Sequence, residues 1–291
     1  MTSPGGVHIA GCWSQAGLCT LIHIRIHNTK ASILFDCGTV ITSTVHAKHV
    51  FITHGHCDHI GAAIQHARAN SLGSSKAASY YVPESCVSDL SVAKAAFESL
   101  DGHAISMDIT AMKVGDTVEL PQSQFRVFAF PTVHRVPSQG YCIVMKHKGE
   151  LLPEYAGAEL SSFKRLRKAG VEPFRTFETC ELAYTGDTTF AALLEPGLEF
   201  IFSVPVLVVE MTYLDGDRSK ATDRGHIHLD DFLEHEHLFQ NQHIIFVHLS
   251  EKYKPHTRAL RILRERIPGY LHHRVGVCLR SFGASEDISY L

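Results

Sequence analysis

Phe51-Ile52-Thr53-His54-Gly55-His56-Cys57-Asp58-His59 is the stretch that decides the fold of this chain. An apolar run ends there in three imidazoles and one carboxylate within six residues, a density that packing alone does not require. His54 and His56, at i and i+2, share one side of an extended chain, and Asp58 and His59 follow as the backbone turns into the helix suggested by Ile60-Gly61-Ala62-Ala63-Ile64. Imidazole and carboxylate together suit Zn(II), with Mn(II) and Fe(II) as alternatives. Cys57 lies between ligand positions and reads as a packing residue.

Around this motif the chain is ordinary in bulk. Its 291 residues and 45% apolar content can bury a sizeable core and fit one large α/β domain. A formal net charge of −3 leaves no global footprint for a polyanionic partner, so nucleic-acid binding has to come from a local patch. The 21 histidines are more than one metal site uses. Eight cysteines are scattered without a C-x-x-C pair and read as reduced thiols of an intracellular protein. The first residues carry neither a basic region nor a long apolar one, and no later run of about 18 apolar residues occurs. The expectation is a cytoplasmic or nuclear protein, with no membrane partner.

Strands are expected at Cys19–Ile26, Ser32–Phe35, His49–Thr53, Tyr80–Pro83, Asp116–Leu120, Phe125–Phe130 and Tyr141–Lys146. Helices are expected over His59–Ala69, Glu84–Leu100 and Glu159–Lys168, the second with Val87, Leu90, Ala93 and Phe97 at helical spacing. After Leu182, strands and helices alternate to Leu279. Two β-rich sheets with helices outside both make an α/β protein of the αββα sandwich type, read as a single domain over residues 1–291.

Four ligands do not hold two divalent ions, so isolated His or Asp residues at the ends of apolar strands become the next candidates. His134 follows Phe128–Val133, Asp187 follows Leu182–Gly186, and His248 follows Ile244–Val247. Each strand would deliver its polar residue to a common sheet edge, where open α/β sheets place their chemistry. Glu210, in Val208-Val209-Glu210-Met211-Thr212, and His226, in Gly225-His226-Ile227-His228, make a plausible proton relay: the carboxylate fixes the imidazole tautomer, and the imidazole protonates a leaving alkoxide.

These segments resemble the metallo-β-lactamase superfamily, and within it ribonuclease Z, the endonuclease that matures tRNA 3′ ends. The matching stretches are the H-x-H-x-D-H motif, Thr132–Tyr141, Ala183–Thr188, Glu210 with Thr212, Gly225-His226, and His248-Leu249-Ser250-Glu251-Lys252-Tyr253, the last with lysine where the family usually has arginine. Ser138–Tyr141 and Gly225–His228 resemble the short plant enzymes in particular. The resemblance spans residues 8–282. It implies two Zn2+ per subunit, with His54, His56 and His134 on one ion, Asp58, His59 and His248 on the other, and Asp187 bridging. It further implies Glu210 and His226 as the relay, Asp58 as activator of the attacking water, Asp36 as orienter of a ligand histidine, pre-tRNA as substrate and a homodimer.

Two departures accompany the match. The interval 146–181 is short and lacks the Gly-Pro-rich tip of the family's tRNA-gripping arm, and the segment after Asp36 lacks the usual Pro-Thr and Arg-Asn elements. In place of the arm, Lys164, Arg165, Arg167 and Lys168 form a basic helix face that is either solvated or a phosphate-gripping stub. Rival readings on the same motif are a glyoxalase II-like thioesterase, a phosphodiesterase and a noncatalytic binding protein. Glu210, His226 and the segment His248–Tyr253 favour the nuclease over the other hydrolases, and the presence of all seven ligands speaks against a noncatalytic protein.

Overall fold

The computed structural model describes residues 1–291 except 30, 74–75, 157–159 and 283–285, together with all side chains of the remainder but those of Leu160, Ser161, Arg167 and Phe282. Two sheets face each other, each with its strands in sequence order. The first is β1 (Val7–Gln15), β2 (Cys19–Ile26), β3 (Ser32–Phe35), β4 (His49–Phe51), β5 (Ala78–Pro83) and β6 (Met107–Met112). The second is β7 (Thr117–Glu119), β8 (Phe125–Pro131), β9 (Gln139–Leu151), β10 (Phe174–Tyr184), β11 (Val206–Glu210), β12 (His243–Val247), β13 (Val275–Cys278) and β14 (Ile288–Tyr290).

Each sheet has a parallel half, β3 to β6 in one and β10 to β13 in the other. Parallel neighbours need crossovers, and helices supply many of them. In chain order the described helices are α1 (Cys57–Ile60), α2 (Ala63–Gly73), α3 (Glu84–Asp101), α4 (Leu160–Lys168), α5 (Phe190–Leu193), α6 (Arg218–Asp223), α7 (Leu229–Glu234) and α8 (His256–Arg266).

Three apolar layers result, as a helix–sheet–sheet–helix stack requires. Residues of α2 and α3 pack with Val50, Ile52 and Tyr80 outside the first sheet. Phe35, Phe51, Tyr141, Tyr184, Val208 and Ile245 fill the space between the sheets. Residues of α5, α7 and α8 pack with Leu207 and Phe246 outside the second sheet. The αββα expectation therefore holds. In the middle layer Phe35 stacks on Tyr141 and Tyr184 at 5.8 and 5.5 Å, and the Tyr141 hydroxyl donates to the Ile52 carbonyl at 2.6 Å. This dry aromatic floor holds the motif-bearing chain from below, and each such ring pair adds about 0.5–1.5 kcal/mol beyond its buried area.

The structure departs from the sequence expectations in several places. β1, β6 and β14 had no clear alternation to announce them: β1 carries an irregularity between Ile9 and Gly11, and β6 is an exposed edge. Of the four apolar positions in α3, only Leu90 is buried, while Phe97 is 51% exposed. Cys57 is exposed at the start of α1 and does no packing, so its position between ligands reflects the turn alone. The expected helix over His59–Ala69 is broken into α1 and α2.

The largest departure is the 146–181 interval. β9 and β10 pair as far as Leu151 and Phe174, whereas the pairing of β8 with β9 stops at Met145 and that of β11 with β10 covers only Leu182–Tyr184. The interval is thus a two-stranded ribbon carrying α4 beyond the body of the sheet. No described helix is long and apolar enough to cross a membrane.

Candidate metal centre

The chain leaves β4 at Phe51 and presents Thr53, His54 and His56 before α1 supplies Asp58 and His59. Past β8, β10 and β12 come His134, Asp187 and His248, as the strand-end reading anticipated. All seven side chains meet at one edge of the two sheets. Ligand atoms of His54, His56, His134 and Asp187 lie within 4.8 Å of one another, as do those of Asp58, His59 and His248. Asp187 Oδ2 links the groups, 3.3 Å from His248 Nε2, 3.5 Å from His59 Nε2, and 3.8 Å from both His54 Nε2 and His134 Nε2.

Outer partners decide which ring nitrogen faces inward. His59 Nδ1 donates to Asp36 Oδ2 at 2.7 Å, and His134 Nδ1 donates to the Gly225 carbonyl at 2.8 Å. Thr53 Oγ1 donates to the Asp36 carboxylate at 3.0 Å and receives His54 Nδ1–H at 3.0 Å. Thr212 Oγ1 donates to Glu210 Oε2 at 2.6 Å and receives His248 Nδ1–H at 2.9 Å. With these four Nδ1 protons engaged outward, Nε2 of His54, His59, His134 and His248 faces the cluster, the arrangement that second-shell partners impose on ligand histidines, whereas His56 faces it with Nδ1, 3.0 Å from His54 Nε2.

Asp36 does more than the expected orienting of one histidine. Fully buried, it accepts from Thr53 N, Thr53 Oγ1, His59 Nδ1 and the Tyr184 hydroxyl, the last at 2.6 Å. Both Asp36 and His248 hold a left-handed backbone, with φ of 57° and 59°. Such conformations are costly for non-glycine residues and persist where the surroundings over-determine them, typically at functional sites. Two glycines are equally constrained. A Cβ on Gly186, at φ 58°, would come within 2.7 Å of Thr53, and one on Gly225, at φ 74°, within 2.7 Å of His134 Nδ1.

The cluster's electrostatics suit a cation. Burial would raise the Asp187 carboxyl, but the imidazoles of His248, His59 and His54 hold it well below the usual carboxylate range. Burial likewise opposes ionisation of Asp58, and the adjacent imidazoles of His248 and His59 overcome it. Burial pushes His54, His56 and His134 down, keeping them neutral and able to ligate. Two buried polar atoms within the cluster, His59 Nε2 and Asp187 Oδ1, have no hydrogen-bond partner. Unsatisfied buried groups cost about 1–3 kcal/mol each, and a cation on these atoms would remove that cost. The residues present therefore fit metal ions.

Glu210 and His226 stand beside the cluster. His226 Nδ1 donates to Glu210 Oε1 at 3.0 Å and lies 3.9 Å from Asp187 Oδ2. Burial works against a charged His226, but the Glu210 carboxylate prevails and raises its pKa to about 9. Glu210 is fully buried and also takes the Thr188 amide at 2.9 Å. The role of Thr53 and Tyr184 escaped the sequence reading, although both sit beside motif residues. Lys252 is not at the cluster: its Nζ pairs with Asp215 Oδ1 at 2.9 Å and lies over the Tyr253 ring.

On the ribbon, Lys164, Arg165 and Lys168 are exposed, and the Phe163 ring lies 5.8 Å from that of Phe174. The side chain of Arg167 and the residue Glu159 lie outside the described part.

Comparison with known proteins follows this geometry. The chain is 31% identical over 223 residues to tRNase Z TRZ1 of Arabidopsis thaliana, covering 76% of this chain and 79% of that one. It belongs to the tRNase Z family. It is also 30% identical over 230 residues to the chloroplastic tRNase Z TRZ2 of the same plant, covering 78% of this chain and 64% of its relative. Residues 31–152 match the family described as the beta-lactamase superfamily domain. The crystal structure of human tRNase Z, short form, superposes with a TM-score of 0.58 at 18% identity over 85% of this chain and 93% of its own, a likeness of fold. Family membership makes this tRNase Z homologue a hydrolase of the ribonuclease class.

Proposed function

We propose that this chain removes the 3′ trailer from pre-tRNA with a dinuclear zinc centre, leaving a 3′-hydroxyl on the tRNA and a 5′-phosphate on the trailer. The observation that carries this reading is the Glu210–His226 pair set against the ligand cluster, 3.0 Å apart, in a chain of the tRNase Z family. His54, His56 and His134 would hold one Zn2+, Asp58, His59 and His248 the second, and Asp187 both. When bound, such a pair supplies Lewis acidity toward the phosphoryl group and activates water at neutral pH.

The chain's own residues do the rest. Glu210 holds the proton on His226 Nδ1 and favours the charged ring, which suits His226 as the acid that protonates the departing 3′ oxygen. Thr212 ties Glu210 to His248 and so couples the relay to the ligand set. Asp58, ionised and partly open, is placed to take a proton from the attacking water. Lys164, Arg165, Arg167 and Lys168 on the ribbon would contact backbone phosphates, the interaction that dominates nucleic-acid affinity.

Residues 1–291 act in this reading as one domain with 146–181 as its insertion, and the continuous apolar layer between the sheets supports that. A homodimer is supported by Val92, Phe97 and Leu100, large apolar side chains left exposed on α3; sedimentation should give twice the chain mass. The deciding experiment offers zinc-loaded protein a 3′-extended pre-tRNA, a small phosphodiester and a glutathione thioester. Specific trailer release is expected, and rapid thioester hydrolysis with intact pre-tRNA would overturn the assignment.

A further inference from the structure

The excess of histidines is not spent at the metal cluster. A cleft of about 820 Å3 opens at the N-terminal ends of β3, β4 and β5, whereas the cluster lies past the C-terminal ends of β3 and β4. His46, Lys48, His49 and Lys76 line it, with the amides Asn28 and Gln122 nearby, and no described lining residue is Asp or Glu. Asp108, which does not line it, accepts the hydroxyl of the lining residue Ser79. A second cleft of about 480 Å3 shares His46 and Asn28 and adds Arg25, His8 and His27.

Lys48 is held in place. Lys48 Nζ donates to Asn70 Oδ1 at 2.8 Å and to the Lys76 carbonyl. Asn70 is buried, and its Nδ2 clamps the chain before Lys48 through the carbonyls of Val45 and Ala47 at 2.6 and 3.2 Å. Burial and the neighbouring Lys76 cation both push Lys48 down, so charges of one sign are kept close by the fold. A bound anion would relieve that repulsion, and a concave site with fixed cations is how phosphates are recognised. The imidazoles here join no group of convergent ligands among the described residues, unlike those at the sheet edge.

We infer that this cleft is a second binding site, for a small anion bearing at least two phosphate groups. Its volume falls in the range of roughly 300–1,000 Å3 typical of small-molecule sites. A free nucleotide and an inorganic polyphosphate share this chemistry, with Asn28, Gln122 and the apolar side chains Leu120 and Pro121 available to a base only in the first case. The inference is independent of the proposed nuclease activity.

Calorimetric titration of the full chain with ADP and with pyrophosphate, both without added divalent cation, tests it. One saturable site is expected. Lys76→Glu and His46→Glu, at exposed positions, should each weaken it at least about tenfold while pre-tRNA cleavage persists. Asp187→Ala, at the metal cluster, should leave it unchanged. Tighter ADP than pyrophosphate would identify a nucleotide, and equal affinity the phosphates alone. No binding, binding indifferent to both surface variants, or binding lost in Asp187→Ala would overturn the inference.

Discussion

The sheet edge, with the proposed metal ligands, and the tip of the β9–β10 ribbon, with the proposed phosphate contacts, are in opposite physical states. At the edge, ligand side chains are largely buried, each Nδ1 proton of His54, His59, His134 and His248 has a named acceptor, and two residues hold left-handed backbone. At the tip, Lys164, Arg165 and Lys168 stand in solvent on a ribbon that pairs only with itself. The difference follows from what each must recognise. Metal ligation needs lone pairs fixed to fractions of an ångström and fails when one is misaimed. Phosphate attraction tolerates mobile, hydrated cations because it acts over about 8–10 Å at physiological salt.

Variants at the two places should therefore fail differently. Asp187→Ala removes the atom common to both ligand groups, so metal content by mass spectrometry and pre-tRNA cleavage should fall together to background. A variant that keeps both would break the ligand assignment. His226→Ala comes next: metal should be retained while the cleavage rate drops about 10²–10⁴-fold, the range for a positioned general acid. Metal loss in that variant would move His226 from relay to ligand.

Thr53→Val and Thr212→Val test whether the edge owes its precision to the outer partners. Each keeps the side-chain shape but strips a buried imidazole N–H of its acceptor. Zinc affinity should weaken about 10–100-fold in each, with Thr→Ser restoring it, as measured by competition with a chelator. Unchanged affinity would show that the ligands hold their geometry unaided. The smallest effect belongs to the ribbon. Arg165→Glu with Lys168→Glu should raise the KM for pre-tRNA and flatten its dependence on salt, while hydrolysis of a small phosphodiester and the melting temperature stay put. Equal pre-tRNA binding by this double variant and the parent would leave α4 a solvated face.

Much of the edge was legible because its chemistry is written in local order. His54, His56, Asp58 and His59 are contiguous, and His134, Asp187 and His248 each end an apolar run, so period and residue type sufficed to nominate them. Glu210 and His226 are 16 residues apart in sequence, and their pairing needed the family resemblance before the structure placed them 3.0 Å apart. The roles of Thr53 and Tyr184 were illegible. A threonine beside a histidine and a tyrosine in a strand are common, and only the stacking of one sheet on the other brings the Tyr184 hydroxyl to Asp36, 148 residues away.

The ribbon shows the same boundary from the other side. Composition along 146–181 announced a basic helix, and α4 is there. That β9 and β10 continue past their neighbours to carry it outward depends on where β8 and β11 stop pairing, which no residue within the interval states. The phosphate cleft is likewise assembled from chain segments of the first sheet and a turn of the second, so its charges are scattered in sequence. Residue types and spacings nominated the candidate ligands and determined the layers and the family, because ligand spacing and alternation are local properties of a chain. Partner hydroxyls, the reach of the ribbon and the cationic cleft were decided by tertiary packing, because they depend on distances between segments that sequence order does not contain.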